Sequence, residues 1–327
     1  MMKTPIVYTL ISSEKDYFLE ELWVSLYSLR QFHPEVTVNV LVDESTKKYV
    51  ERFPKLCDMI TNIVVVPVPE NYNAKQRSRV IKTTVRNVID GAYLFIDTDT
   101  VICKPLDDID NLTCDIAAVP DGHLHLSECM FPPTNSVNKI FKTDVSDSKY
   151  WFNSGVMFVA DNEQTRKFYK RWNENWTYSC FENGQSQDQP ALLATDKEFG
   201  YIISELPGIY NAQVAMSLKY FADAAIVHWW HMSFIENQDY SPFFSLQIYK
   251  DVKTAKGLTA DNKEHIMHCK QSFVSPTMPV GKEHIFFLFS PAGKIFNRIY
   301  KEGGAASFLM NKCATVLEKI HKYTRKK

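Results

Sequence analysis

The stretch that most constrains this chain is Ala92 to Val101, which reads Ala-Tyr-Leu-Phe-Ile-Asp-Thr-Asp-Thr-Val. Four apolar residues, Tyr93, Leu94, Phe95 and Ile96, run straight into Asp97. An unbroken apolar run predicts a strand buried on both faces, as in a mostly parallel sheet. The run ends in Asp97-Thr98-Asp99. A bare buried charge is too costly, so these carboxylates must face water, a cation or a partner. In open α/β sheets, ligands bind in the crevice beyond the strand C-termini. Paired hard oxygen ligands there suit Mg²⁺ or Mn²⁺ carrying a phosphate-bearing substrate. The plainer alternative is a solvated turn.

The flanking pattern supports such a sheet. Ile6 to Ile11, Val36 to Val42 and Ile63 to Val68 read as strands. Between them, Phe18, Leu22, Leu26 and Leu29 recur at helical spacing, and Lys47 to Leu56 reads as a helix. A cation-rich helix over Gln76 to Val88 precedes the central strand. Alternating strands and helices predict an α/β fold. Beyond Asp99 come a short apolar run, Ile116 to Pro120, and an aperiodic stretch over 121–149. So long an irregular segment suggests a lid or binding loop. Trp151 to Val159 then reads as a strand and Glu163 to Trp176 as a helix. Gln189 to Thr195 forms a short helix with Pro190 at its start, and Ile202 to Leu206 and Ala225 to His228 are short strands.

The 327 residues can bury a large core, and 13% aromatics exclude a disordered chain. A net charge of -1 gives no sign of a nucleic-acid partner. Seven scattered cysteines without a Cys-x-x-Cys pair suggest reduced thiols in a cytoplasmic protein. The N-terminus enters a strand directly, with no signal-peptide pattern, and no stretch has the length of a transmembrane helix. Without a secretory signal, the sequons at Asn111 and Asn175 read as chance. From Lys301 onward, Lys301, Lys312, Lys319, Lys322, Arg325, Lys326 and Lys327 outnumber Glu302 and Glu318. Phe308, Leu309, Val316, Leu317 and Ile320 can share one helical face there. Such a tail either docks on the domain or lies peripherally on an anionic membrane, at its inner face.

Four later stretches add to the carboxylate pair. In Trp151-Phe152-Asn153-Ser154-Gly155-Val156, Asn153 and Gly155 interrupt a strand. Glycine there admits a ligand or a second backbone, and asparagine both donates and accepts; a β-bulge is the alternative. Gln187-Asp188-Gln189-Pro190 opens a helix, where Asp188 could simply be an N-cap. Asn211 sits in a loop. His228 closes an apolar strand before Trp229, Trp230 and His231, placed to be a third metal ligand.

Taken together these residues resemble a retaining glycosyltransferase of the GT-A fold, and most resemble glycosyltransferase family 8. The resemblance runs from about Ile6 to His231. It implies a GT-A nucleotide-sugar-binding catalytic domain over 1–240, with a mixed, mostly parallel sheet, and a C-terminal extension over 241–327 with a helical tail. It implies that Asp97, Asp99 and His228 hold Mn²⁺ or Mg²⁺ on a UDP-sugar diphosphate. Tyr8 and Thr9 would contact the uridine, and Arg79 the donor. Thr98, Ser154 and Gly155 belong to the same donor motifs. Asn153, Asp188 and Gln189 would line the sugar and its anomeric carbon, with Asp188 and Gln189 catalytic. The acceptor would be a glycan or lipid-linked sugar, as in polysaccharide biosynthesis. One departure stands out: family members carry Gly-x-x-Lys-Pro-Trp after the metal histidine, and its lysine meets the diphosphate. Here His228 is followed by Trp-Trp-His-Met-Ser-Phe, which leaves that contact to another residue such as Lys219.

The chemistry is consistent with these residue types. A metal stabilises a departing diphosphate without a proton donor. An oxocarbenium-like sugar could be met by the Gln189 carbonyl or the Asp188 carboxylate. Retention follows either from attack on the leaving-group side or from a covalent sugar–enzyme intermediate. Two other classes compete. Asp97-Thr98-Asp99-Thr100-Val101 fits a haloacid-dehalogenase-like phosphatase with Asp97 as nucleophile, but three strands precede it and no later acidic pair follows. A non-catalytic sugar-nucleotide or glycan-binding protein would bind UDP without turnover. A nucleotidyltransferase needs a glycine-rich phosphate loop, and Leu10 to Lys15 has no glycine.

Overall fold

The apolar run before Asp97 forms a strand whose alternate side chains enter two different cores. Leu94 and Ile96 pack with Ile6, Tyr8 and Leu10, while Tyr93 and Phe95 pack with Val7 and Met157. Burial on both faces is why neither strand shows a polar–apolar alternation. The computed structural model describes residues 2–129, 133–214, 217–229, 246–270 and 290–324. Its strands are β1 (Ile6–Leu10), β2 (Val38–Val42), β3 (Asn62–Val65), β4 (Tyr93–Ile96), β5 (Thr100–Ile102), β6 (Ile116–His125), β7 (Tyr150–Val159), β8 (Ile203–Glu205), β9 (Ala212–Gln213) and β10 (Ile226–His228). Its helices are α1 (Phe18–Phe32), α2 (Glu44–Val50), α3 (Pro54–Cys57), α4 (Ala74–Val88), α5 (Thr134–Phe141), α6 (Glu163–Asn183), α7 (Gln189–Glu198), α8 (Leu246–Ala255), α9 (Ala260–Met267), α10 (Pro291–Glu302) and α11 (Gly304–Thr324).

Seven strands form the main sheet in the order β3-β2-β1-β4-β7-β6-β8. Strands β1 to β4 run parallel, and β7 is antiparallel to both β4 and β6. The architecture is thus α/β with a mixed, mostly parallel sheet covered by helices. A second sheet, β5-β10-β9, lies at the end of β4. Helices α4 and α6 pack together on one face of the main sheet, where Ile81, Val85, Phe168 and Trp172 join its core. Helix α1 supplies Leu19, Leu22, Leu26 and Leu29 to the other.

Three sequence expectations change. Lys47 to Leu56 is two helices rather than one: Asp43 Oδ1 caps α2 by accepting from Thr46 N at 2.7 Å, and Pro54 starts a new turn. Proline cannot donate to the preceding turn, so α2 stops before it. The stretch over 121–149 is not wholly irregular: β6 continues to His125, and α5 follows. A register shift in β6 and left-handed backbone at Gly122 (φ 62°) and His123 (φ 60°) hide that strand from a periodicity test. Strands β5 and β9, only three and two residues long, were not anticipated.

The chain divides into two compact units, residues 1–277 and 278–327. Helices α8 and α9 pack on α1 within the first. The expected boundary between 240 and 241 falls outside the described residues. In the second unit, α10 is capped by Ser290, whose Oγ accepts from Gly293 N at 3.0 Å, and packs on α11. Phe308, Leu309, Val316 and Leu317 of α11 are all more than half exposed. Ile320, Lys322 and the residues from Arg325 onward lie outside the described side chains. Among the described residues no helix is long and apolar enough to cross a membrane.

Candidate active site

Strand β4 delivers Asp97 to its end, where Asp97 N donates to Gly155 O of β7 at 2.7 Å. The turn is closed by Thr100 Oγ1, which donates to Asp97 O at 2.9 Å. Strand β5 then pairs antiparallel with β10, Thr100 opposite His228, and Trp229 N donates to Asp99 O at 2.9 Å. The small sheet therefore brings His228 onto the carboxylate pair. His228 Nε2 lies 3.2 Å from Asp99 Oδ1, and ligand atoms of Asp97, Asp99 and His228 all lie within 4.8 Å of one another.

The imidazole is oriented from behind. His228 Nδ1 lies 2.9 Å from Asn211 Oδ1. Asn211 Nδ2 in turn donates to Asn153 Oδ1 at 3.0 Å, so the Asn211 oxygen is the acceptor and His228 Nδ1 the donor. That tautomer turns the Nε2 lone pair toward the carboxylates, the arrangement metal-bound histidines use. Burial alone would lower the His228 pKa, but Asp99 outweighs it and raises it. Gly155 makes the room: a Cβ there would sit 2.4 Å from His228 Cε1 and 2.8 Å from Asn153 Oδ1. The residues present therefore fit a divalent cation held by Asp97, Asp99 and His228.

A second cluster adjoins the first through Lys82. This lysine is buried, with Nζ 3.0 Å from both Asp97 oxygens and 3.9 Å from Asp188 Oδ2. Its Nζ lies over the Phe95 ring, 4.9 Å from the ring centre. Asp188 begins α7 yet makes no capping hydrogen bond. Its carboxylate instead accepts from Ser154 Oγ at 2.7 Å and pairs with Arg79 Nε at 2.9 Å. Burial pushes the Asp188 pKa up, but Arg79, Lys82 and Ser154 prevail and hold it at about 2. Next to it, Gln189 Nε2 donates to Asp121 Oδ1 at 3.1 Å and to Phe152 O at 3.3 Å. Asp121 also accepts from Asn153 Nδ2 at 2.8 Å. One chain of hydrogen bonds thus runs His228–Asn211–Asn153–Asp121–Gln189.

The model of glycosyl transferase family 8 matches residues 9–233, well over half the chain. This chain belongs to glycosyl transferase family 8. Among solved structures, this family 8 enzyme is similar to the bifunctional glycosyltransferase WbbM. The TM-score is 0.52 and the identity 13%, over 81% of this chain and 51% of that one, so it spans about half the length of WbbM. It is also similar to the galactosyltransferase LgtC, solved with donor and acceptor sugar analogues (TM-score 0.49, 15% identity, 86% of this chain and 99% of that one). GlyE of Streptococcus pneumoniae TIGR4 matches at a TM-score of 0.49 and 14% identity, over 86% of this chain and 67% of that one. No curated protein sequence matches. The fold is GT-A, and the chain is a glycosyltransferase. The phosphatase alternative falls with the family match.

The other expected residues differ in exposure and in the partners they hold. The Tyr8 side chain is fully buried and its hydroxyl lies 3.0 Å from Ser25 Oγ, so it faces the core under α1. Thr9, on the opposite side of β1, is half-buried. Thr98 Oγ1 is 3.5 Å from Glu21 Oε2, at the limit of a hydrogen bond. Asn153 and Ser154 are buried and committed to Asp121, Asn211 and Asp188, so they position the site. Lys219 is exposed, with Nζ 5.1 Å from the centre of the Tyr220 ring. Trp230 and His231 lie outside the described residues. Two site residues escaped the sequence reading, Lys82 and Asp121. Lys82 is three positions after Arg79 on one helical face, and Asp121 ends an apolar run as Asp97 does.

Proposed function

We propose that this enzyme transfers a sugar from a UDP-sugar to a glycan or lipid-linked acceptor, with Mn²⁺ or Mg²⁺ bound and with retention at the anomeric carbon. The observation that carries the reading is the Asp97–Asp99–His228 cluster, oriented by Asn211 and opened by Gly155. A bound cation there would neutralise charge on the departing diphosphate. Lys82, beside Asp97, adds a second positive charge at that end. Asp188 stays ionised at neutral pH and so can face a developing oxocarbenium centre. Gln189 has its amide nitrogen committed to Asp121 and Phe152, which leaves its carbonyl oxygen to meet the sugar. Arg79 and Thr9 contribute donor contacts. A thermal-shift panel of nucleotide sugars with and without Mn²⁺ tests the assignment, because a ligand that binds only the native state raises its melting temperature. Stabilisation by UDP-sugars only when Mn²⁺ is present is expected; no response to any nucleotide sugar would sink it.

We also infer a peripheral site of action on the inner face of a membrane. Its support is α11, where exposed Phe308, Leu309, Val316 and Leu317 accompany Lys312 and Lys319. Deleting residues 303–327 should abolish co-sedimentation with phosphatidylserine vesicles while UDP binding persists. Undiminished sedimentation would remove this inference.

A further inference from the structure

Outside the active site, two thiols far apart in sequence meet. Cys103 follows β5 and Cys269 lies just beyond α9, 166 positions later, with their sulfurs 3.2 Å apart. All seven cysteines are free thiols, so these two face each other as a reduced pair. Both segments contact one loop, the first through its backbone and the second through a side chain. Cys103 N donates to Ala225 O at 2.7 Å. Lys270 Nζ donates to Ala222 O at 3.0 Å and to Ala224 O at 2.8 Å. Cys103 is half-buried, whereas Cys269 is buried. The Cys103 thiol is pushed down by its hydrogen bond with Cys269, and the Lys270 and Lys104 ammonium groups add to this against the opposing effect of burial. A half-buried thiol 3.2 Å from a sheltered partner is the arrangement of an attacking and a resolving cysteine.

We propose that Cys103 and Cys269 form an oxidisable dithiol that closes to a disulfide by exchange with a low-molecular-weight disulfide such as oxidised glutathione. Cys103, as thiolate, attacks one sulfur of the small disulfide. The S–S bond breaks, one small thiolate leaves and takes a proton, and Cys103 carries the other half. Cys269, after losing its proton, attacks Cys103 Sγ and expels the second small thiol. The protein loses two protons and two electrons, and the small disulfide gains both as it becomes two thiols. The bridge would tie the segment after α9 to β5, the strand that leaves the Asp97-Thr98-Asp99 turn and pairs with His228. This dithiol stands apart from sugar transfer and does not depend on the donor or the metal.

The test uses the full-length protein, reduced, then exposed to oxidised glutathione under native conditions, acid-quenched, alkylated and mapped by mass spectrometry. The expected product is a peptide pair linked through Cys103 and Cys269, with neither of these two thiols left to alkylate. In Cys269→Ser, glutathione should remain on Cys103, because the resolving sulfur is gone. Two results would overturn the proposal: no linked pair under conditions that modify exposed Cys313, or glutathione persisting on Cys103 in the wild type. Circular dichroism establishes that the variant is folded. If it is not, the wild-type map decides alone.

Discussion

Asp97 and Asp188 stand on either side of Lys82, 3.0 and 3.9 Å from its Nζ. Asp188 also has Arg79 at 2.9 Å and the Ser154 hydroxyl at 2.7 Å, and its pKa is held at about 2. Asp97 has a like charge beside it. Burial raises its pKa, Lys82 opposes, and Asp99 adds to the rise. Asp188 is therefore held against Arg79 and Lys82, while Asp97 and Asp99 lie beside each other with His228 Nε2 3.2 Å from Asp99. Two carboxylates set together with a histidine nitrogen form a ligand set for an external cation. A carboxylate kept ionised by fixed cations is built to present a permanent negative charge to a substrate. Under the proposed function, this difference puts leaving-group stabilisation at one end of the site and the sugar at the other.

Asp188→Asn should break the comparison most sharply. The variant keeps the helix start but removes the anion paired with Arg79 and leaves Lys82 with Asp97 alone. Loss of one charged transition-state contact is worth roughly 3 kcal/mol, so kcat should fall about a hundredfold, with UDP affinity preserved because UDP lacks the sugar. A kcat within threefold of wild type would return Asp188 to a purely structural role. Gly155→Ala acts on the other end. Its added carbon would collide with His228 and Asn153, and loss of a support behind a metal ligand typically costs 10–100-fold in metal affinity. Metal titration followed by turnover should show that loss at an unchanged Asp188 environment; unaltered metal affinity would contradict the role given to Gly155. The smallest effect is on acid stability. Asp188 drops from 3.8 in the unfolded chain to about 2 in the fold. Its contribution is complete above pH 4 and is lost as pH falls toward 2, about 2 kcal/mol in all. Denaturant unfolding of wild type and Asp188→Asn should converge over that window. A constant difference would mean that the Asp188 charge contributes no stability.

The parts of this account legible in the sequence are those fixed by local pattern. Tyr93 to Ile96 ending in Asp97 revealed the central strand, and the order of Asp97, Asn153, Asp188 and His228 revealed the family. The rest depended on parity and on choosing among like residues. Tyr8 shares its face of β1 with Ile6 and Leu10, and burial of both faces removed the polar alternation that marks which side is open. Helix α4 holds Lys75, Arg77, Arg79, Lys82 and Arg86. Arg77 pairs with Asp43 and Arg86 binds Gly91 O, so only the fold singles out Lys82 as the lysine between two carboxylates. Asp121 was hidden because the register shift in β6 breaks the strand period around it.

Calorimetric titration of UDP into the protein tests most directly the claim that the Asp97–Asp99–His228 end works through a bound cation. With Mn²⁺ present, wild-type protein should bind UDP, and the affinity should collapse both in EDTA and in Asp99→Ala. Equal UDP affinity with Mn²⁺, in EDTA and in Asp99→Ala would contradict the claim.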